Sequence, residues 1–303
     1  MIILFYFCGL VTVTSSKILM VSYPFPLILC TLQFGMASLL TIVYLRFTNN
    51  RQHGYPSVRI TRLVASTGAA YAIGFVFLNA SMQWSDASFV ETLRAVEPLT
   101  TLILGGIFLQ ERSSTMTMFT LLPICGGVML SCSNSTDFSL TGCIAVLLSN
   151  LSFSGRAVFV RLIHQIDMHC MEPFNFFADL SMYGFLILLP ITVVVEGRSA
   201  YTAFVTPTSA MLDTTGGILQ LLPIVLLNII MYTIYTVTSF SILQRTDLII
   251  HAVVNGFRRV FSIILTALYF GVLLNTANLT GVLIAVAGVL LFAYFKAKET
   301  SHK

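Results

Sequence analysis

The stretch "HAVVNGFRRVFSIILTALYF" (residues 251–270) decides the fold class, because it is a membrane-type helix with two charges near its middle. A membrane span needs roughly 20 mainly apolar residues, and this stretch has that length and character. Arg258 and Arg259 cannot lose their protons, so both guanidinium groups need a stabilising partner where there is little water. The identity of that partner is the functional question that this sequence raises.

The composition indicates a polytopic membrane protein. Of its 303 residues, 56% are hydrophobic and 9% are charged, and the mean hydropathy is +0.90. An ordinary soluble domain carries about 25% charged residues. The net charge of +4 is too small to indicate a nucleic-acid partner. The six cysteines form no Cys-x-x-Cys pair, so they indicate packing rather than a disulfide or zinc framework.

Hydropathy predicts an all-α protein of ten transmembrane helices. With ten spans, both termini and the loops after even-numbered spans share one side of the membrane. That side holds ten Lys and Arg residues and the other holds only Arg198, so both termini are expected in the cytosol. Pro98 and Pro123 are expected to kink their helices. The predicted spans lie near 2–20, 25–46, 61–83, 87–110, 115–132, 139–162, 174–195, 217–243, 248–271 and 278–295.

Two stretches suggest an internal repeat within a single transporter domain, residues 1–303. "TTLILGGIFLQERSSTMTMFTLLPICGGVML" (100–130) has the same layout as "SIILTALYFGVLLNTANLTGVLIAVAGVLLF" (262–292): apolar helix, polar turn, glycine-containing helix. Five spans is an odd number, so the second half is predicted to cross the membrane inverted, with the binding site where the halves meet. Aligning Gly127 with Gly288 maps Glu97 onto Arg258. The halves are residues 1–132 and 138–297, and 298–303 form a short tail.

Five cations and three acids fall inside the predicted spans. A cation at the centre of a membrane helix costs roughly 2.5–3.5 kcal/mol on insertion scales. At about 1.5 Å per residue, Arg258 and Arg259 lie roughly 16 Å into a hydrocarbon core about 30 Å thick. The cations are Lys17, Arg94, Arg156, Arg258 and Arg259, and the acids are Glu91, Glu97 and Asp179.

Internal pairing accounts for only part of this charge. Glu91 and Glu97 each lie three residues from Arg94, so either could neutralise it without a ligand. Asp179 is expected to pair with Lys17 or Arg156, and Lys17 either faces the cavity or snorkels at its helix end. Three acids leave a surplus of two positive charges, which indicates an anion that binds and leaves. The planar fork of arginine suits carboxylate and especially phosphate.

Five stretches, taken in their order along the chain, form a recognisable pattern. They are "SKILMVSYPFP" (16–26), "LRAVEP" (93–98), "PICGGVMLS" (123–131), "LSNLSFSGRAVFVR" (148–161) and "YTVTSFSILQRTDLIIHAVVNGFRRV" (235–260). Together they resemble the sugar-phosphate and triose-phosphate translocator family of the drug/metabolite transporter superfamily, which also contains nucleotide-sugar transporters. They are similar to the end of the family's first helix, to its fourth, fifth and sixth helices, and to its eighth and ninth helices.

The resemblance implies a carrier without a cofactor that exchanges phosphorylated sugars, triose phosphates or related esters against a phosphate-type counter-substrate by alternating access. It implies that the phosphate is held by Arg94, Arg156, Arg258 and Arg259, and that Tyr235 contacts the organic part of the substrate. Lys17 completes the set of candidate ligands.

Three departures from the family pattern concern the organic part of the substrate. The family's usual lysines are here Arg94 and Arg258, a histidine that helps to bind triose phosphates is replaced by Phe75, and Glu91 stands at another polar position. These changes keep a phosphate site and leave the identity of the ester open.

Two other function classes stay open beside the phosphate-ester antiporter. One is a nucleotide-sugar antiporter of the Golgi or endoplasmic reticulum, and the other is an anion channel or uniporter. No nucleophile, metal or nucleotide-cradling motif points to an enzyme.

Without a visible transit peptide, the protein is expected in an endomembrane, or in a plastid-type envelope if the true start is missing. The expected partners are small phosphate-type anions and the lipid bilayer, and whether the protein forms a homodimer is open.

Overall fold

The structure, a computed structural model, describes residues 1–51, 55, 57–110, 114–132, 139–166, 172–205, 218–245, 248–272 and 275–301, and most of them are helical. Within these ranges there is no strand. In chain order the helices are α1 (Ile2–Ser22), α2 (Pro26–Phe47), α3 (Val58–Trp84), α4 (Ala87–Leu93), α5 (Glu97–Phe108), α6 (Thr115–Phe119), α7 (Leu121–Cys132), α8 (Leu140–Ile166), α9 (Pro173–Val195), α10 (Gly197–Val205), α11 (Ile218–Arg245), α12 (Leu248–Phe270) and α13 (Thr276–Ser301).

Each of the ten predicted spans coincides with helix in the structure, and the all-α prediction is confirmed for the described residues. The count of ten membrane crossings stays a prediction, because only seven described helices are both long and apolar enough to span a bilayer. Those seven are Ile2–Ser22, Pro26–Phe47, Val58–Trp84, Leu140–Ile166, Phe174–Val195, Leu221–Ser239 and Thr276–Lys298.

The fourth predicted span is broken rather than continuous. A short 3₁₀ turn, Arg94–Val96, separates α4 from α5. Pro98 explains the break, because it has no N–H to donate and its ring clashes with the carbonyl four residues earlier, which belongs to Arg94. In the same way, α6 ends at Phe119, four residues before Pro123. The break in the fourth span places Arg94 at a helix junction, where its guanidinium group contacts Glu91 on α4 and Phe153 on α8.

Helix packing brings distant parts of the chain together in symmetric pairs. Helix α3 packs against α8, α1 against α11, α2 against α9, α7 against α13, and α4 against α12. In an inverted repeat of five helices, each span of the first half corresponds to the span five places later. The pair formed by spans three and six (α3 and α8) therefore corresponds to the pair formed by spans eight and one (α11 and α1). Spans two and seven (α2 and α9) correspond to each other, as do spans four and nine (α4 and α12) and spans five and ten (α7 and α13). The observed pairs have this pattern, and the repeat itself stays a prediction.

Glycines allow α7 and α13 to approach closely. A Cβ atom on Gly127 would lie 2.5 Å from the carbonyl oxygen of Gly281, and one on Gly288 would lie 2.9 Å from the backbone nitrogen of Ile124. Real Cβ atoms do not come this close to backbone, so any side chain would force the helices apart. The two glycines that align in the predicted repeat therefore lie at one helix–helix contact, as small residues do in membrane bundles.

A buried polar network ties α1, α2, α3 and α11 together. The Asn228 amide donates to Ser15 Oγ at 2.8 Å and to the Thr12 carbonyl at 3.1 Å, and its oxygen accepts from Gln33 at 2.7 Å. Asn79 donates to Gln33 at 3.4 Å. Such groups lie inside the bundle because lipid tails cannot satisfy them. This network holds α1 in place beside α12.

Candidate functional site

Four predicted ligands lie in one buried region. Arg94 lies at the α4–α5 junction, Arg156 on α8, and Arg258 and Arg259 on α12. The Arg258 side chain is 4% exposed, and those of Arg94 and Arg259 are 13% and 15% exposed. Charges this far from solvent need partners or ligands, since burying an unpaired ion costs several kcal/mol.

Glu91 lies between Arg94 and Arg258. Its Oε1 atom accepts a hydrogen bond from Arg94 Nη1 at 3.0 Å. Its Oε2 atom is 3.8 Å from Arg258 Nη2, close enough for charge attraction and too far for a hydrogen bond. The Glu91 side chain is 0% exposed. The predicted pairing of Glu91 with Arg94 is therefore confirmed, and the contact with Arg258 was not foreseen.

Glu97 pairs with the other arginine of α12. Its Oε2 atom accepts from Arg259 Nη2 at 3.1 Å, across 162 residues of sequence. Glu97 also attracts Arg94 electrostatically, as the spacing of three residues predicts, but its close ion pair is with Arg259. The two glutamates thus bind the adjacent arginines of α12 separately, as expected for side chains about 100° apart on a helix.

Aromatic rings lie against Arg94 and Arg156. The guanidinium carbon of Arg94 lies 5.5 Å from the ring centre of Phe153, and that of Arg156 lies 4.9 Å from the ring centre of Tyr71. These two rings contact each other at 6.0 Å. Cation–π contacts of this length stabilise a charge without neutralising it. The rings therefore make the arginines less costly to bury and leave their net charge available to an anion.

Tyr235 belongs to the same region, as the resemblance implies. Its ring is stacked on Phe5 at 5.1 Å, and Arg258 lies 5.4 Å from the Tyr235 ring centre. Gly9 makes this possible, because a Cβ atom there would lie 3.2 Å from the Tyr235 ring and 3.4 Å from Arg258 Cδ. Helix α1 thereby forms one wall of the site.

Several buried polar atoms of this cluster have no hydrogen-bond partner among the described residues. An unsatisfied buried donor costs about 1–3 kcal/mol, more when it is charged. Native proteins contain few such groups, so several in one place need an explanation. They are Nε of Arg94, Nε of Arg156, Nε of Arg258, Nη1 of Arg259 and Oε2 of Glu91.

The charge of the cluster is unbalanced. Among the described residues, its four arginines carry four positive charges and its two glutamates carry two negative ones, which leaves a surplus of two. A surplus of two positive charges was also predicted from the sequence. That count included Lys17 and Asp179, which the structure places outside the cluster.

Lys17 binds the end of helix α3. Its ammonium group donates to the carbonyl oxygens of Met82 and Ser85 at 2.9 and 2.8 Å. The last carbonyls of a helix carry partial negative charge, so a cation is stable there. These contacts favour a structural role over the predicted role as a substrate ligand, which stays untested.

Asp179 pairs with residues near the end of the α2–α3 connection, and the predicted pairing with Lys17 or Arg156 was wrong. Arg51 donates to one carboxylate oxygen in a short ion pair, and the Tyr55 hydroxyl donates to the other at 2.9 Å. Burial beside this carboxylate raises the pKa of Tyr55. Sequence pattern assigned Arg51 to a loop and could not show that its side chain contacts α9.

Phe75 lies within an aromatic cluster beside the site. Its ring contacts those of Tyr71, Phe153 and Tyr232 at 5.0, 5.2 and 5.2 Å. The structure therefore gives position 75 a packing role next to the arginines.

The sequence interpretation missed the aromatic residues Phe5, Tyr71 and Phe153. One signal was available, because Phe153 lies three residues before Arg156 and so shares its helix face. Phe5 and Tyr71 reach the arginines only through tertiary packing. Among the described residues, no group of three or more His, Cys, Asp or Glu is placed to hold a metal ion.

A cavity of about 380 Å³ lies apart from the arginine cluster, where α3 begins and α8 ends. Its lining includes Arg59, Arg62, Leu162 and Gln165. None of the predicted ligands lines it, so the charge cluster, not this cavity, defines the candidate site.

Comparison with known proteins assigns the family. A sequence profile of the triose-phosphate transporter family matches residues 1–293. The chain belongs to the triose-phosphate transporter family. The resemblance seen in its motifs is thereby confirmed. Because the members of this family are transporters, the chain is a transporter and not an enzyme.

The relatives are phosphate translocators. The chloroplastic phosphoenolpyruvate/phosphate translocator 3 of Oryza sativa subsp. japonica is 28% identical over 100% of this chain and 75% of its own length. The chloroplastic triose phosphate/phosphate translocator of Spinacia oleracea is 27% identical over 81% of this chain and 59% of its own length. The alignment with a protein of known crystal structure covers 95% of this chain and 95% of that chain, with a TM-score of 0.55 and 14% sequence identity. It shows a likeness of fold alone.

These findings establish a multi-pass membrane protein and bear on the expected location. The relatives named above are chloroplastic, so they give no support to the expected Golgi or endoplasmic-reticulum membrane. The cytosolic termini and the homodimer stay predictions.

Proposed function

We propose that this chain is a secondary-active antiporter that exchanges phosphate esters across an organelle membrane by alternating access. The observation that carries the proposal is the unbalanced arginine cluster, with its surplus of two positive charges and its unpaired guanidinium nitrogens. The relatives, named for phosphate, triose phosphate and phosphoenolpyruvate, support phosphate esters as the substrate class.

A phosphate monoester matches the cluster in charge and in hydrogen bonding. It carries about −1.5 to −2 charges at pH 7 and presents three acceptor oxygens. Arg258 Nε and Arg259 Nη1 are donors that lack an acceptor in the described structure. A bound dianion would neutralise the surplus and accept from such donors, which are geometrically suited to phosphate.

The position of the ion pairs suggests how binding is coupled to movement. Glu91 and Glu97 belong to the first predicted half, and Arg258 and Arg259 belong to the second. An anion that binds these arginines competes with the two glutamates and therefore affects the contact between the halves. An empty site leaves two unneutralised charges that would have to cross a region of low dielectric, whereas a loaded site does not. Counter-exchange follows, because only the loaded carrier switches readily.

The alternatives differ in what they require of the site. A channel needs no counter-substrate, and a nucleotide-sugar antiporter would accept a nucleotide-linked sugar in exchange for a nucleotide. The names of the relatives favour simple phosphate esters over nucleotide sugars and favour a plastid membrane over the Golgi or endoplasmic reticulum.

Counter-exchange in liposomes tests the proposal. The purified protein is reconstituted, and uptake of labelled phosphate is measured with and without internal phosphate ester. Uptake is expected to depend on the internal ester. If empty liposomes fill as fast as loaded ones, the chain is a channel or uniporter. Exchange of nucleotide sugars in place of phosphate esters would support the second alternative.

A further inference from the structure

We infer that Glu91 sets the charge of the anion that the site accepts. It selects dianionic phosphate monoesters over trianionic esters, which carry a carboxylate in addition to the phosphate. The inference rests on the proposed function, because it concerns the same site.

The position of Glu91 separates it from the other acid of the cluster. Its carboxylate is fully buried and lies between Arg94 and Arg258, bound to the first and 3.8 Å from the second. Glu97 is 23% exposed and contacts Arg259 at one side of the cluster. Solvent therefore screens the charge of Glu97 more than that of Glu91.

The second carboxylate oxygen of Glu91 indicates that the residue is not there only to satisfy Arg94. Its Oε2 atom is buried and accepts no hydrogen bond from a described residue, although Arg258 is near. A purely structural partner for Arg258 would be expected at hydrogen-bond distance. Glu91 instead acts on Arg258 through its charge, and leaves donors such as Arg258 Nε without an acceptor.

Charge matching then decides which esters fit. With Glu91 ionised, the cluster has a surplus of two positive charges, which a dianion neutralises. A trianion would leave one negative charge unneutralised in a buried site, and its additional carboxylate would be repelled by Glu91. Without the charge of Glu91 the surplus is three, and a trianion becomes the matching ligand.

Known esters provide a matched pair of probes. Glycerol 3-phosphate is close to a dianion at pH 7.5, since the second phosphate pKa is about 6. Its oxidised counterpart 3-phosphoglycerate has nearly the same size and adds a carboxylate, whose pKa is about 4. Phosphoenolpyruvate, for which the rice relative is named, is also close to a trianion. The wild-type protein is therefore expected to exchange phosphoenolpyruvate more slowly than glycerol 3-phosphate.

The test is exchange of these three esters by liposomes loaded with inorganic phosphate at pH 7.5. For the wild type, glycerol 3-phosphate should exchange at least about tenfold faster than either trianion, a difference of about 1.4 kcal/mol. In Glu91→Gln this ratio should fall at least about tenfold, whereas Glu91→Asp, which keeps the charge, should retain most of it. Glu97→Gln should change the ratio less, because Glu97 is partly exposed.

The outcomes separate this inference from the proposed function. If the wild type exchanges no phosphate ester, the proposed function fails. If it exchanges dianions and trianions equally, or if Glu91→Gln slows all esters by one factor, the antiporter stands and Glu91 has only a structural role. An equal shift in Glu97→Gln would assign selectivity to total charge rather than to Glu91. Should the glutamine variant fail to fold, equal exchange of dianions and trianions by the wild type, or a tenfold fall of the ratio in Glu91→Asp, would still contradict the inference.

Discussion

Two ionic clusters in this protein contain similar residues and differ in balance. In the cluster of Arg51, Tyr55 and Asp179, one cation meets one anion, and both carboxylate oxygens accept hydrogen bonds. In the arginine cluster, four described cations meet two described anions, and five buried polar atoms have no hydrogen-bond partner among the described residues. The balanced cluster connects a loop to a helix. The unbalanced one is incomplete until an anion binds, and this difference separates a structural ion pair from a binding site.

The largest expected effect is the loss of transport when one charge of the unbalanced cluster is removed. Arg258→Gln or Arg259→Gln should reduce phosphate exchange at least about a hundredfold, because a charge-assisted pair contributes up to about 3 kcal/mol. Exchange in proteoliposomes is the measurement. Arg59→Gln is the matched control, since Arg59 is exposed at the start of α3 and should not affect exchange. Equal losses at positions 59 and 258 would show that the loss is not specific to the arginine cluster.

Ligand binding should stabilise the protein through the unbalanced cluster alone. A phosphate ester at 100 times its Kd stabilises the folded state by about 2.7 kcal/mol, whereas uncharged glucose should give no shift in Tm. Thermal unfolding in detergent provides the measurement. The shift should persist in Asp179→Asn and disappear in Arg258→Gln. Equal shifts with glucose and glucose phosphate would exclude a phosphate site.

Breaking the balanced cluster should affect stability rather than transport. Asp179→Asn removes the charge that holds Arg51 and should cost about 1–3 kcal/mol of unfolding free energy. Exchange per folded molecule should change no more than about threefold, as for a remote substitution worth roughly 0.5 kcal/mol. Tm and exchange are measured on one preparation. A hundredfold loss of exchange with unchanged Tm would show that Asp179 belongs to the transport machinery.

The smallest effect is expected where the backbone approaches the site. In Gly9→Ala, the added Cβ atom would lie 3.2 Å from the Tyr235 ring, so the ring must move by a few tenths of an ångström. Exchange should fall about fivefold to tenfold, because a small misplacement at a site is costly. Gly126→Ala is the control, since open space surrounds that position. An unchanged rate in Gly9→Ala would show that Tyr235 does not position the substrate.

Much of the candidate site could be predicted from local sequence. Hydropathy located the helices, and a charge within an apolar run is visible without any structure, as at Arg94, Arg156, Arg258 and Arg259. Lys17 was the exception, because an end-of-helix lysine has the same sequence signature whether it binds substrate or the carbonyls of another helix.

By itself, the sequence determined that this is a helical membrane protein with two more positive than negative charges left inside it, since composition and helix periodicity are local properties. Only the tertiary structure decided which acid meets which base. The Arg259–Glu97 contact joins residues 162 apart and Arg51–Asp179 joins residues 128 apart. Periodicity predicts which residues share a helix face, but the partner across a helix interface depends on packing and on the break before Pro98.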